Sequence, residues 1–282
     1  MWRSAKGIAL LLSATTVVLP AAAQGTVTLG SNLGRAPDAT QNCGPYRCTL
    51  VPASLSAGAA APGGLVSPVN GTVVTWRIRT GTSTTATAFR VVRLLPDGTA
   101  TASTTSPSVT PPINATQAYP VQLPIKVGDT VGVDCCGNPG QEILVSTTPM
   151  ALRNIYLPPL VDGGSPQMQN SPPVAWELAV NADIEPTATL GSVKAKPRKG
   201  GKIKVTMVAP NPGTLFATGK GLHSSPRKQV PGAGPFTLVV KPYFLTKRKL
   251  ADGKTVKAKL KLTFTPTGGS PAVQALKVKL KP

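Results

Sequence analysis

One histidine and ten acids are all that this chain sets against 30 lysines and arginines. That scarcity thins the chemistry open to it. A Ser–His machine for acyl transfer needs a base, an orienting acid and an oxyanion hole. The histidine, His223, lies in Gly221-Leu222-His223-Ser224-Ser225-Pro226, and the only acid of its segment is Asp252. It reads as a histidine in a turn. No phosphate loop, GxGxxG, HExxH or GxSxG elbow occurs. Aromatic residues make up 4 % of the chain, so platforms for stacking sugars or bases are few. After residue 23 no apolar run is long enough to span a bilayer, and no amphipathic helix stands out. The four cysteines include an adjacent pair and have no histidine near them, which is poor zinc geometry. No metal and no cofactor is expected.

The acids that exist are unevenly placed. Residues 187–282 carry 20 lysines and arginines and one acid, whereas residues 24–186 carry 8 and 9. A one-sign field over a third of a protein speaks of solubility and of polyanionic partners, not of fold. Of the 20 basic residues, 17 are lysine; Arg198, Arg227 and Arg248 are the exceptions. Lysine is a mobile point charge, whereas arginine makes the bidentate contacts that read bases. Nonspecific, salt-sensitive attraction to a wall polymer, an acidic polysaccharide or nucleic acid is therefore the partner class that fits.

The N-terminus has the three-part pattern of an export signal. Arg3 and Lys6 precede a mostly apolar run at 7–19, and Ala21-Ala22-Ala23 offers a cleavage pattern. Residues 1–23 are read as a signal peptide, which implies a secreted or extracellular protein, held to the cell wall if its charge finds a partner there. In that oxidising setting the even set Cys43, Cys48, Cys135 and Cys136 reads as two disulfides. Three pairings are open. Closing longer loops removes more freedom from the unfolded chain, which favours tying Cys43 and Cys48 to Cys135 and Cys136.

Period-two alternation runs through the rest and predicts an all-β protein of two tandem sandwiches: a jelly-roll-like one over 24–186 and an Ig-like one over 187–282. In Thr72-Val73-Val74-Thr75-Trp76-Arg77-Ile78-Arg79, residues Val74, Trp76 and Ile78 share a face. Pro96-Asp97-Gly98 and Lys126-Val127-Gly128-Asp129 read as turns. Val174, Trp176, Leu178 and Val180 are in phase, with Glu177 on the opposite face. Trp76 and Trp176 are therefore expected in the core, and Tyr46, Tyr119 and Tyr156 are the loop candidates for sugar contacts. In the second segment Phe216, Phe236, Tyr243, Phe244 and Phe264 are placed mostly inward. The cleanest alternation, Lys257-Ala258-Lys259-Leu260-Lys261-Leu262, is answered by Leu276-Lys277-Val278-Lys279-Leu280-Lys281. The six lysines Lys257, Lys259, Lys261, Lys277, Lys279 and Lys281 thus form candidate polyanion-binding faces. The same lysines would also keep strand edges soluble and unpaired.

The stretches Pro68-Val69-Asn70-Gly71-Thr72-Val73-Val74-Thr75-Trp76-Arg77, Gly128-Asp129-Thr130-Val131-Gly132-Val133 and Ala182-Asp183-Ile184-Glu185-Pro186 resemble exported proteins of unknown function from high-GC Gram-positive soil bacteria. The ending Thr263-Phe264-Thr265-Pro266-Thr267-Gly268-Gly269 is similar to the Ig-like modules appended to them. The resemblance implies the two-sandwich organisation and no activity. Some of those proteins carry an acidic calcium-type repeat after the Ile-Glu-Pro close. Here Thr187-Ala188-Thr189-Leu190 follows instead, so calcium is not carried over. The expectation is a non-enzymatic secreted or cell-surface protein. A carbohydrate-binding protein working through the first sandwich is the alternative. A secreted hydrolase would need a pair of carboxylates in a cleft, drawn from Asp129, Asp134, Glu142, Asp162, Glu177, Asp183 and Glu185.

Overall fold

The computed structural model describes residues 25–56, 58–147, 151–170 and 172–282; the export signal read at 1–23 lies outside the described residues. Strands take 53 % of the chain and helix 4 %, so the class is all-β, with several sheets consistent with sandwich packing.

The first strands are β1 (Val27–Gly30), β2 (Ala39–Gln41), β3 (Cys48–Ser54), β4 (Gly71–Arg79), β5 (Ala88–Leu94), β6 (Thr99–Thr105) and β7 (Thr116–Ile125). Then come β8 (Thr130–Cys135), β9 (Gln141–Val145), β10 (Leu152–Tyr156), β11 (Gln167–Met168), β12 (Glu177–Leu178) and β13 (Val180–Pro186). They form a four-stranded sheet β1-β13-β4-β7, a six-stranded sheet β10-β3-β8-β5-β6-β11 and a small sheet β12-β9-β2. Trp76 of β4 stacks on Phe89 of β5 at 5.5 Å and on Tyr119 at 4.8 Å, joining the two larger sheets through one core. Trp176 packs half-buried against the same core.

Beyond residue 190 lie β14 (Gly191–Pro197), β15 (Ile203–Ala209), β16 (Gly213–Gly219), β17 (Lys228–Val230), β18 (Gly234–Val240), β19 (Val256–Pro266) and β20 (Ala272–Leu280), with one α-helix, α1 (Phe244–Ala251), and a short 3-10 turn at Lys199–Gly201. These seven strands make a three-stranded sheet β14-β15-β18 and a four-stranded sheet β17-β16-β19-β20. Their core, centred on Ile203, Leu215, Leu260, Leu262 and Phe264, shares no residue with the first.

Local chemistry accounts for the turns. Gly128 takes φ +87°, and the Asp129 N–H closes the turn onto Lys126 O at 3.0 Å. Gly98, at φ +82°, lets β5 fold back on β6, a backbone conformation that costs glycine little.

Three readings of the sequence need correction. A bulge between Val73 and Thr75 shifts the phase of β4, so Val73 rather than Val74 is buried with Trp76 and Ile78. The helix α1 was not foreseen; it buries only Thr246 and Leu250, two positions in two turns, too few to register as a period. The strand expected around Trp176 is two strands. β12 pairs with β9, and after Ala179 the chain crosses into another sheet as β13. The crossing turns Glu177 inward, to 3 % exposure.

Candidate functional site

The lysine-bearing edge follows directly from the register of β19 and β20. Lys257 stands opposite Lys279 and Lys259 opposite Lys277, and all four are exposed. Their partners in alternation, Ala258, Leu260, Val278 and Leu280, are buried. Like charges placed directly across a strand pair repel, and the only acid nearby in sequence, Asp252, makes no ion pair among the described residues. The four lysines wall a recess of about 550 Å³. Lys261 continues the row but faces Ala275, and Lys281 lies past the end of β20. Four of the six predicted lysines are thus brought together and two stand at the margins. β20 is also the edge strand of its sheet, where outward charge blocks pairing with another chain.

A second basic recess escaped the sequence reading. Lys199, Lys202, Lys241 and Lys247 line a groove of about 630 Å³ with His223 and Phe244. The lining comes from three stretches of the chain, 199–202, 223 and 241–247, so no local pattern could have announced it. Phe244 is 67 % exposed and Tyr243 is 50 % exposed, contrary to the inward placement expected of them. Both fall at the start of α1, where strand alternation no longer applies. The His223 ring lies 5.1 Å from that of Tyr243, and the Ser225 hydroxyl accepts the Ala217 N–H at 2.8 Å. His223 and Ser225 therefore have separate structural partners.

The cysteines are all oxidised, but locally: Cys43–Cys48 and Cys135–Cys136. This overturns the long-range pairing favoured above. Cys48 does lie opposite Cys135 in the ladder of β3 and β8, and the Cys43 N–H donates to Cys136 O at 2.7 Å. The N-terminal segment is thus tied to β8 by backbone hydrogen bonds rather than by sulfur. Loop entropy ranks pairings in the unfolded chain; the folded chain bonds the sulfurs that its backbone sets within reach.

No family model matches the chain, and no curated protein matches it. What the surfaces can do must be read from their side chains.

The carboxylates mostly serve architecture. Asp134 and Asp162 share Arg90, Asp129 holds Arg93, and Asp183 holds Arg77. Glu142 is held by the Thr82 N–H at 2.5 Å and its hydroxyl at 2.6 Å. Burial pushes the Asp183 carboxyl up, but hydrogen bonds from Arg77 and Thr28, with the Arg77 charge, bring it below the usual range. Among the tyrosine candidates, Tyr119 packs on Trp76 and Tyr156 is fully buried. Tyr46 is 66 % exposed beside a shallow recess of about 350 Å³ with Leu157, Pro158 and Pro159. No helix of the described residues is long and apolar enough to cross a membrane.

Proposed function

We propose that this is an exported, non-enzymatic protein of two sandwich domains, 24–186 and 187–282, whose basic Ig-like second domain holds it to anionic polymers outside the cell. The observation that carries the reading is the pair of facing lysine couples, Lys257–Lys279 and Lys259–Lys277, none of them in an ion pair among the described residues. A protein gains nothing in stability from such couples; a polyanion laid along them releases counterions and relieves the repulsion. The division into domains is supported by two cores without a common residue. The sparse arginines argue for charge recognition without base reading, so wall polymer, acidic polysaccharide and nucleic acid would compete for the same face.

The full chain should bind a heparin-like matrix at low salt. It should elute well below 1 M salt, where the screening length has fallen to about 3 Å. Changing Lys257, Lys259, Lys277 and Lys279 together to Gln should abolish most retention with the fold intact. Retention that survives 1 M salt, or that the fourfold variant keeps, defeats the proposal.

A second reading has one observation of its own. The exposed Tyr46 ring, bordered by Leu157 and two prolines, has the form of a stacking platform for a sugar ring. Glycan-array binding that disappears in Tyr46→Ala, and that salt leaves unchanged, would mark this reading as correct.

A further inference from the structure

Among the described residues Glu177 is the most buried acid, at 3 % exposure, and it has no arginine or lysine partner. The other two buried acids, Asp129 and Asp134, each hold an arginine. Its hydrogen bonds come from two hydroxyls: Ser31 Oγ to Oε1 at 2.5 Å and Ser56 Oγ to Oε2 at 2.9 Å. A carboxylate offers about four acceptor positions, so roughly half its capacity is left. A buried charge needs a partner of opposite sign.

The carboxylate forms part of the wall of a polar cleft of about 370 Å³, lined also by Asn32, Arg35 and Ala59. The cleft is held in shape from both sides. The Ser31 N–H donates to Val180 O at 2.9 Å, and its carbonyl accepts Asn181 Nδ2 at 2.9 Å. Asn32 Nδ2 spans to Gly58 O at 2.7 Å, and its Oδ1 accepts the Gly34 N–H at 2.8 Å. Arg35 is exposed on the same lining and has no hydrogen bond or ion pair among the described residues. An anchored negative group within and an unengaged guanidinium in one cleft make a site for a molecule carrying both charges. A primary ammonium supplies three donors and a compact positive charge for Glu177. A carboxylate is the bidentate match for Arg35. The volume lies at the small end of ligand sites.

We propose that this cleft binds a small zwitterion of α-amino-acid type, its ammonium on Glu177 and its carboxylate on Arg35. The proposal is independent of the lysine face.

The test is ligand-observed NMR on the full chain, with the common α-amino acids presented one at a time. n-Propylamine and propanoate serve as probes of each charge alone. At least one amino acid should bind, and each single-charge probe should bind at least tenfold more weakly. Glu177→Gln keeps the shape, its amide oxygen accepting from one serine and its amide nitrogen donating to the hydroxyl of the other; Arg35→Met changes an exposed residue. Each should weaken binding at least tenfold. Should Glu177→Gln fail to fold, Arg35→Met still decides. Three results overturn the proposal: no amino acid binds, the amine alone binds as well as the amino acid, or binding persists unchanged in Arg35→Met.

Discussion

Arg153 on β10 is only 4 % exposed, and two of its guanidinium nitrogens, Nε and Nη1, have no partner among the described residues. Its one side-chain hydrogen bond runs from Nη2 to Gln41 Oε1 at 2.5 Å. Burial brings its pKa down to about 10. A buried charge without an ion partner is a cost that an apolar chain of similar length avoids. Arg153→Met is expected to stabilise the protein by about 1–3 kcal/mol at neutral pH, read from urea unfolding. Between the folded and unfolded pKa values the unfolded chain binds more protons, so native stability rises with pH there. The advantage of the variant should therefore shrink only above pH 10. Asp183 behaves in the opposite sense. Its folded pKa is depressed, so its contribution is complete above the ordinary carboxyl value and is lost as pH falls through the folded one. Arg77→Met removes the ion pair at 2.5 Å and should cost about 1–3 kcal/mol at pH 7. In a circular-dichroism acid titration the variant should unfold at higher pH than the native chain; coincident midpoints would show that the pair contributes nothing.

Among the elements, the lysine-bearing parts of β19 and β20, 257–262 and 276–280, were legible residue by residue, because each lysine alternates with one apolar neighbour that the core must take. The β12–β13 stretch was not. Alternation assumes that one strand stays in one sheet, and here the chain changes sheets at Ala179. Glu177 is thereby buried as well as Leu178, while Trp176 packs half-buried against the core. The disulfides failed to follow the loop-length argument for a related reason. Cys43 and Cys48 are separated by 5 positions and Cys135 and Cys136 by 1. A ring that short limits the unfolded chain little. Replacing Cys43 and Cys48 by Ala should cost on the order of 2 kcal/mol, against about 4–5 for a loop near a hundred residues. A loss of the larger size in calorimetry would mean that the sulfurs are joined across the ladder after all.

For the whole molecule the decisive contact is where the two cores meet. Asn211 is fully buried. Its Oδ1 accepts the Asn70 N–H at 2.6 Å, and its Nδ2 donates to Asn70 O and Thr187 O, both at 2.8 Å. Asn70 Nδ2 returns a bond to Pro210 O at 2.7 Å, and its Oδ1 accepts the Val127 N–H at 3.1 Å. The chain between β13 and β14 is thus clasped to loops from both sides. Asn211→Ala removes the bonds to the Asn70 N–H and Thr187 O, while Asn70 O keeps the Thr187 N–H at 2.9 Å; the loss should cost roughly 2–4 kcal/mol. In calorimetry the native chain should unfold in one transition and the variant in two, since the cores would lose their coupling. Two transitions already present in the native chain would count against this coupling. By itself the sequence determined the strand class, the outward lysines, the turns at Gly98 and Gly128 and the burial of Trp76. Each of these depends on a residue and its near neighbours along the chain. Only the tertiary structure decided which cysteines pair, where Glu177 points, which lysines converge into a groove and how Asn70 meets Asn211. Those depend on segments that fall side by side only when sheets close, and local periodicity holds no record of distant partners.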